Sequence, residues 1–267
     1  MDIEICESPV IIIGSPRSGT SVLAWALDQH PDLVAFGESQ ILVELFGSGS
    51  LDKNYRREGT TSWLRRHGVE QDQFLADVGI GFNRLFTRLA GGKRWVDQTP
   101  YHTLMVRWLA GMFPGAKFVH ILRDGRRVVH SMVNKSARFG GKGARWAEDF
   151  ERSCRTWVQF TDVATEFEAD HPDGCITVRN ESLVADPDAG FRRILAFLDL
   201  PYHSAPAEFF ANNRLNSSFG PNAKGVGAAA TLTDPWSEWD EGRKQTFREV
   251  AGETMAAHGL ATLEELA

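Results

Sequence analysis

The sequence predicts an α/β fold, in which a parallel sheet of about five strands is covered by helices on both faces. Short apolar runs alternate with longer amphipathic segments, and no change in composition marks a second domain. This alternation favours a parallel sheet whose strands are buried on both sides. We therefore expect a single domain over residues 1–267, with strands at Val10–Ile13, Leu33–Phe36, Arg94–Asp97, Lys117–Leu122 and Cys175–Arg179.

Apolar residues at helical spacing predict the segments between these strands to be helices. Asn212–Thr233 lacks such a pattern and is rich in Asn, Ser, Gly and Ala, which is typical of a lid or binding loop. The longer helices after the first are expected at Gln40–Phe46, Thr61–His67, Phe74–Leu89, Pro100–Met112, Arg126–Lys135, Trp146–Glu168, Pro187–Leu198 and Glu238–His258.

The composition of the chain indicates which binding partners and which cellular compartment to expect. The formal net charge of −6 argues against nucleic acid as a partner. Cys6, Cys154 and Cys175 match neither a disulfide framework nor zinc-ligand spacing, and we expect no metal site. No stretch reaches membrane-spanning length, and the N-terminus lacks the basic residues of a signal peptide. We therefore expect a cytoplasmic protein without a membrane span, while the oligomeric state cannot be inferred.

The first strand leads into a glycine-rich loop and then a helix, an arrangement that forms an anion site from loop N–H groups and the helix N-terminus. Its spacing is that of a nucleotide P-loop, G-x-x-x-x-G-K-[ST], except that Thr20 occupies the lysine position. Losing that lysine argues against ordinary triphosphate chemistry, and Arg17 can supply the positive charge. The sheet is therefore predicted to be of P-loop type, with a ligand-free turn as the alternative. The loop residues are Gly14, Ser15, Pro16, Arg17, Ser18, Gly19, Thr20 and Ser21.

A second anion site is predicted after the strand KFVHIL, which continues as RDGRRVVHS. Arg123 lies at the carboxyl end of this strand, Asp124 suits the N-cap of the next helix, and Ser131 lies two turns into it. An unpaired charge at a strand end is unfavourable. We therefore expect Arg123 to meet an anionic group of the ligand.

Two phosphate-type sites on one sheet, one of them a P-loop without its lysine, resemble the sulfotransferases that use 3′-phosphoadenosine-5′-phosphosulfate (PAPS). The order and intervals look more like the bacterial and tyrosylprotein branches than the cytosolic aryl and steroid enzymes. The resemblance covers most of the chain and is carried by GSPRSGTSVL, HPDLVAFGES, DQTP, FPGAKFVHILRDGRRVVHSM and RNESLVADPDAGFRRILAFLDL.

The resemblance implies a role for particular positions in binding PAPS. The first loop would hold the 5′-phosphosulfate, and Arg123 with Ser131 would hold the 3′-phosphate. Arg179 and Asn180 fall where relatives contact the adenosine side. Relatives commonly carry a lysine where this chain has Gln98, and Lys224 in the Asn212–Thr233 segment is one candidate to replace it.

Sulfuryl transfer requires stabilisation of charge on the bridging oxygen, removal of the acceptor's proton and alignment of both partners. Arg17 and the loop N–H groups can do the first, with Gln98 as a neutral donor beside them. Glu38 matches the catalytic base of the tyrosylprotein branch. His102, which opens a helix at a strand end, is the rival base, whereas His120 lies in mid-strand as a core histidine would. No metal is required.

Two alternatives remain open at this point. One is a P-loop small-molecule kinase, against which Thr20 and the RDGRRVVHS segment argue. The other is a nucleotide-binding relative that is catalytically impaired, with Gln98 as the lesion. For the acceptor, the sequence indicates only a hydroxyl on a small molecule, glycan, lipid or peptide.

Overall fold

The computed structural model describes residues 5–47, 63–138, 149–213 and 234–266. Five strands form one parallel sheet in the spatial order β2-β3-β1-β4-β5. The predicted parallel sheet is therefore confirmed, while the single domain over residues 1–267 stays a prediction. The strands are β1 Val10–Ile13, β2 Leu33–Ala35, β3 Arg94–Gln98, β4 Lys117–Leu122 and β5 Cys175–Arg179.

Helices connect the strands and cover the sheet. Three short ones, Asn180–Ala185, Ala205–Asn212 and Pro235–Glu238, were not predicted. The predicted helix Pro100–Met112 is divided at Met105, whose φ of −124° interrupts helical geometry. The helices are α1 Thr20–Leu27, α2 Ile41–Phe46, α3 Trp63–Arg66, α4 Gln71–Leu89, the 3-10 helix Pro100–Met105, α5 Val106–Met112, α6 Gly125–Arg138, α7 Phe150–Asp170, α8 Asn180–Ala185, α9 Pro187–Phe197, α10 Ala205–Asn212, α11 Pro235–Glu238 and α12 Glu241–Ala257.

The sheet is buried on both faces, as the uninterrupted apolar run of β1 predicts. Val10 and Ile12 belong to the core on one face, which is completed by α1, α9 and α10. Ile11 and Ile13 belong to the core on the other face, which is completed by α4, α5 and α7. A third apolar cluster joins α6, α7 and α12 around Trp157. No helix in the described ranges is long and apolar enough to cross a membrane.

All five strands point the same way, so the segments that follow them gather at one edge of the sheet. In α/β sheets this carboxyl edge is where ligands bind. The register places Ile13 of β1 beside His120 of β4, and Leu122 of β4 beside Arg179 of β5. The loop after β1, the Arg123 segment after β4 and the start of α8 after β5 are therefore neighbours.

His120 lies within β4 and is fully buried, as expected for a core histidine. Its Nδ1 is 2.8 Å from the Thr177 hydroxyl, which donates to Glu168 Oε2 at 2.5 Å. Because that hydroxyl gives its proton to Glu168, it accepts from His120, so the imidazole carries its hydrogen on Nδ1. Burial, and to a smaller extent the nearby His258, lowers the pKa of His120 to about 3.

We predict that this histidine makes the fold less stable in mild acid. In the unfolded chain the pKa of His120 is about 6.5. Below that pH the unfolded state binds a proton on this imidazole, whereas the folded state leaves it neutral. The free energy of unfolding should fall by about 1.4 kcal/mol per pH unit from about pH 6.5 towards pH 3. His120→Asn keeps an N–H donor but does not titrate. Urea unfolding gives the free energy of unfolding at pH 7.5 and at pH 5.0. Its decrease between these pH values should be about 2 kcal/mol larger in the wild type than in the variant. Equal losses would contradict the prediction.

Candidate functional site

The loop after β1 packs so tightly against its neighbours that two positions require glycine. Gly14 has φ 149° and Gly19 has φ 110°, values that residues with a Cβ rarely adopt. A Cβ on Gly14 would lie 2.7 Å from the Ile121 carbonyl oxygen, and one on Gly19 would lie 2.6 Å from Asn180 Nδ2. Thr103 Oγ1 holds Gly14 from the other side, since it accepts from its N–H at 2.8 Å and donates to its carbonyl at 3.2 Å.

Within the loop, a tight turn precedes the first helix. The Ser18 hydroxyl and N–H both donate to the Ser15 carbonyl, at 2.7 and 3.1 Å, and the Ser15 hydroxyl donates to the Pro16 carbonyl at 3.3 Å. Gly19 is the N-cap of α1, so the first N–H groups of that helix face this loop. The four hydroxyl residues of the segment are buried, namely Ser15, Ser18, Thr20 and Ser21.

Arg17 has a left-handed backbone, with φ 73°, which is uncommon for a residue other than glycine. Two bonds from the segment after β4 hold it there. Arg123 Nη1 donates to the Arg17 carbonyl at 2.9 Å, and Arg17 Nε donates to Ser131 Oγ at 3.1 Å. Burial lowers the pKa of Arg17, while the charge of Glu38 raises it to a smaller extent. The two predicted anion motifs are thus one connected site, with Glu38 acting on it electrostatically.

Glu38 lies just after β2 and is half-buried. Gln40 Nε2 donates to its Oε2 at 3.0 Å. Gln40 itself is the N-cap of α2, and its side chain makes no capping hydrogen bond there. The carboxylate of Glu38 is therefore oriented by the Gln40 amide at the edge of the sheet where Arg17 lies.

The segment after β4 is held by the backbone of Arg123 and by Asp124. Asp124 Oδ1 accepts from the Arg126 N–H at 2.8 Å, which confirms the predicted capping role, and its carboxylate also pairs with the Arg126 guanidinium at 2.6 Å. Trp157 Nε1 donates to the Arg123 carbonyl at 3.1 Å. These contacts fix the direction in which Arg123 leaves the strand, so that its side chain reaches the first loop.

The end of β3 brings Asp97, Gln98 and His102 together in a buried region. They are 1%, 2% and 1% exposed, and His102 Nδ1 lies 3.1 Å from Asp97 Oδ1 without the alignment of a hydrogen bond. Within the described part of the chain, Asp97 Oδ2, Gln98 Oε1 and both ring nitrogens of His102 are buried with no hydrogen-bond partner. Each such group costs about 1–3 kcal/mol, so this region lowers the stability of the fold unless a local rearrangement gives these atoms partners.

Two predicted binding residues remain, Arg179 and Lys224. Arg179 is exposed, and its guanidinium donates to the carbonyl oxygens of His258 and Gly259 after α12. Its neighbour Asn180 instead reaches the first loop. Lys224 lies outside the described residues, so its predicted role stays a prediction. In the ranges that the structure describes, no group of three or more His, Cys, Asp or Glu side chains could hold a metal ion.

Sequence reasoning did not identify Thr103, Glu181 or the closeness of Asp97 to His102, and it assigned Asn180 to the adenosine side rather than to the first loop. Thr103 follows the DQTP segment and binds Gly14 from 89 positions away along the chain. Glu181 accepts from the Asp124 N–H, 57 positions away. Of Thr103 and Glu181, only Glu181 carries a sequence signal for this edge, because it closely follows the predicted strand Cys175–Arg179.

The fold and site define a class of α/β proteins in which strand ends and a helix N-terminus bind anionic groups. The model of the sulfotransferase family matches residues 9–204, and the chain belongs to that family.

A putative protein-tyrosine sulfotransferase of Caenorhabditis briggsae is 27% identical over 197 residues, covering 73% of this chain and 67% of the relative. Protein-tyrosine sulfotransferase 1 of Danio rerio is 27% identical over 202 residues, covering 74% and 55%. The chain spans about half the length of several such relatives.

Solved structures share the fold. Mouse sulfotransferase SULT7A1, complexed with PAP, has a TM-score of 0.62 at 14% identity, covering 98% of this chain and 89% of its own. A sulfotransferase domain from the curacin biosynthetic pathway has a TM-score of 0.58 at 16% identity, covering 97% of this chain and 99% of its own. These likenesses confirm the α/β fold class predicted from the sequence.

We predict that Gly14→Ala destabilises the protein, because the new Cβ meets a backbone oxygen and φ is strained. The free energy of unfolding should fall by about 2–4 kcal/mol in a urea titration. Gly37→Ala is the matched control, because no heavy atom lies within 4 Å of its added Cβ. It should change the free energy by less than about 0.5 kcal/mol. Equal effects of the two substitutions would show that the loop is not held as described.

Proposed function

We propose that this protein transfers the sulfuryl group of PAPS to the hydroxyl of an acceptor. The observation that carries the proposal is the joining of the two anion motifs at Arg17, whose carbonyl is bound by Arg123 and whose side chain is bound by Ser131. A nucleotide with phosphate groups on both its 3′ and 5′ sides suits such a paired site. Membership of the sulfotransferase family supports the same reaction.

The residues present fit the 5′ end of that nucleotide. Burial disfavours the charged form of Arg17, and an anion beside it would offset that cost. The buried hydroxyl residues and the N-terminus of α1 add donors for phosphate oxygens. In this proposal Gly14–Ser21 is a P-loop-type cradle in which Arg17 takes the part of the missing lysine.

PAPS, when bound, supplies an activated sulfuryl group on a nucleoside-phosphate leaving group. Arg17 and the loop N–H groups hold its 5′ side and stabilise the charge that develops on the bridging oxygen. Arg123 and Ser131 hold its 3′-phosphate, and Arg179 contacts its adenosine side. No residue in this scheme needs a metal ion.

Glu38 removes the acceptor's proton. Gln40 fixes its Oε2, and we assign Oε1 to the acceptor hydroxyl. His102 is the alternative base, but it is 1% exposed, so it would reach an acceptor only after a local rearrangement. We therefore prefer Glu38 to His102 as the base.

Gln98 takes the position at which relatives commonly carry a lysine. It is the last residue of β3 and pairs with Ile12, two residues before Gly14, so it lies beside the start of the loop. We assign its amide a hydrogen bond to the 5′ side of the nucleotide, with Lys224 as a further candidate donor. A neutral amide leaves more of the charge stabilisation to Arg17. If Gln98 instead impairs catalysis, the protein binds nucleotide without turnover.

The acceptor class is a hydroxyl of a small molecule, glycan, lipid or peptide. Several relatives are named protein-tyrosine sulfotransferases, so tyrosine peptides belong in the first acceptor panel. The predicted cytoplasmic location and the absence of a nucleic-acid partner remain parts of this proposal.

We predict that the protein binds 3′-phosphoadenosine-5′-phosphate (PAP), the desulfated product, and prefers it to ATP in calorimetric titration. Arg123→Ala should weaken PAP binding by roughly 10- to 100-fold, because a charge-assisted hydrogen bond to phosphate is lost. Arg155→Ala removes the same charge from the exposed face of α7, where Arg155 pairs with Glu151, and should leave the affinity within about twofold.

Two results of this titration would reject the assignment. Equal affinity for ATP and PAP would favour the alternative that the protein is a P-loop small-molecule kinase. Loss of affinity in Arg155→Ala but not in Arg123→Ala would place the nucleotide outside the proposed site.

We predict that Glu38→Gln abolishes most of the turnover while retaining the nucleotide. With an acceptor found in a panel of phenols, sugars and tyrosine peptides, the turnover number should fall by about 10²- to 10⁴-fold, because the amide cannot take a proton. PAP affinity should change by less than about threefold. Glu44→Gln, an exposed position on α2, is the matched control and should retain full activity. Full activity in Glu38→Gln would remove Glu38 from the mechanism and favour His102.

A further inference from the structure

Asn180 and Glu181, the first two residues of α8, each bind a different anion motif. Asn180 Nδ2 donates to the Ser18 carbonyl in the loop after β1, at 3.1 Å. Glu181 Oε1 accepts from the Asp124 N–H after β4, also at 3.1 Å. The pairing of Leu122 with Arg179 puts the start of α8 level with the end of β4, which is why one dipeptide reaches both segments.

The bond from Asn180 fixes a donor of the first loop. A trans peptide is planar, so its N–H points opposite to its carbonyl. Holding the Ser18 carbonyl therefore sets the direction of the Gly19 N–H, at the N-cap of α1. The close approach of Asn180 also accounts for the glycine, because a Cβ on Gly19 would lie 2.6 Å from Asn180 Nδ2.

The bond to Glu181 fixes the second motif in a similar way. The peptide between Arg123 and Asp124 is held on both sides, since its carbonyl accepts from Trp157 at 3.1 Å and its N–H donates to Glu181. Clamping this peptide sets the direction in which the Arg123 side chain leaves the chain. Within the described residues, Glu181 Oε2 is buried with no hydrogen-bond partner, which costs stability.

We propose that Asn180 and Glu181 are positioning residues that set the separation of the two phosphate subsites, and thereby the selectivity for a nucleotide phosphorylated on both sides. They act through Ser18 and Asp124 rather than on the reacting atoms. The inference rests on the proposed function, because it assumes that both motifs bind one nucleotide. A local change at α8 should then alter how much the 3′-phosphate adds to binding once the 5′-phosphate is in place.

The test is calorimetric titration of the full chain with PAP and with 5′-AMP, which lacks the 3′-phosphate. The ratio of the two dissociation constants measures what the 3′-phosphate contributes. Asn180→Ala and Glu181→Ala should each reduce this ratio by about three- to tenfold, the effect of one hydrogen bond that orients a subsite. Glu181→Gln keeps an acceptor for the Asp124 N–H and should retain the wild-type ratio. Asn134→Ala, an exposed asparagine on α6, should retain it as well.

Each outcome has one meaning. An unchanged ratio in both alanine variants overturns the inference, even if their free energies of unfolding fall, because a purely structural role lowers stability without altering the discrimination. Loss of the ratio in Glu181→Gln as well would overturn the role given to its Oε1. If the wild type binds no PAP, the proposed function itself fails, which is a result separate from the behaviour of the variants.

Discussion

The unusual backbone of Arg17 is the constraint on which the carboxyl edge of this sheet depends. A left-handed residue with a side chain costs roughly 1–2 kcal/mol, and the guanidinium is disfavoured further by burial. The surrounding structure offsets these costs through Arg123, Ser131 and the charge of Glu38. Strain of this kind persists only where neighbours over-determine it, and it is concentrated at functional sites.

The parallel sheet makes that constraint possible. Contacts to Arg17 come from a segment more than a hundred residues away, and the pairing of β1 with β4 brings that segment alongside the loop. The apolar residues of β1 are divided between two cores, and the strand pairs with β3 on one side and β4 on the other. This pairing brings the two anion motifs together, and the polar side chains at the edge join them.

Sequence reasoning succeeded where the signal is local. The strands, the glycine loop and the capping role of Asp124 each depend on a few adjacent residues, and the structure contains all three. It missed Thr103, because a hydroxyl that binds Gly14 across 89 positions leaves no periodic pattern. It missed α8 because six residues are too few to show helical spacing. Tertiary geometry also separates Arg179 from Asn180, which are adjacent in sequence but bind different parts of the fold.

The end of β3 shows how the departure at Gln98 fits the rest of the site. An amide in this position supplies a donor without adding a second buried cation near Arg17, whose own charge is already disfavoured by burial. Its Oε1, Asp97 Oδ2 and the imidazole of His102 are buried without hydrogen-bond partners in the described part of the chain. A fold selected for stability alone would pair or remove such groups. Their concentration beside the first loop is a local cost to stability, and because these atoms are buried, a bound molecule could complete their hydrogen bonds only after a local rearrangement.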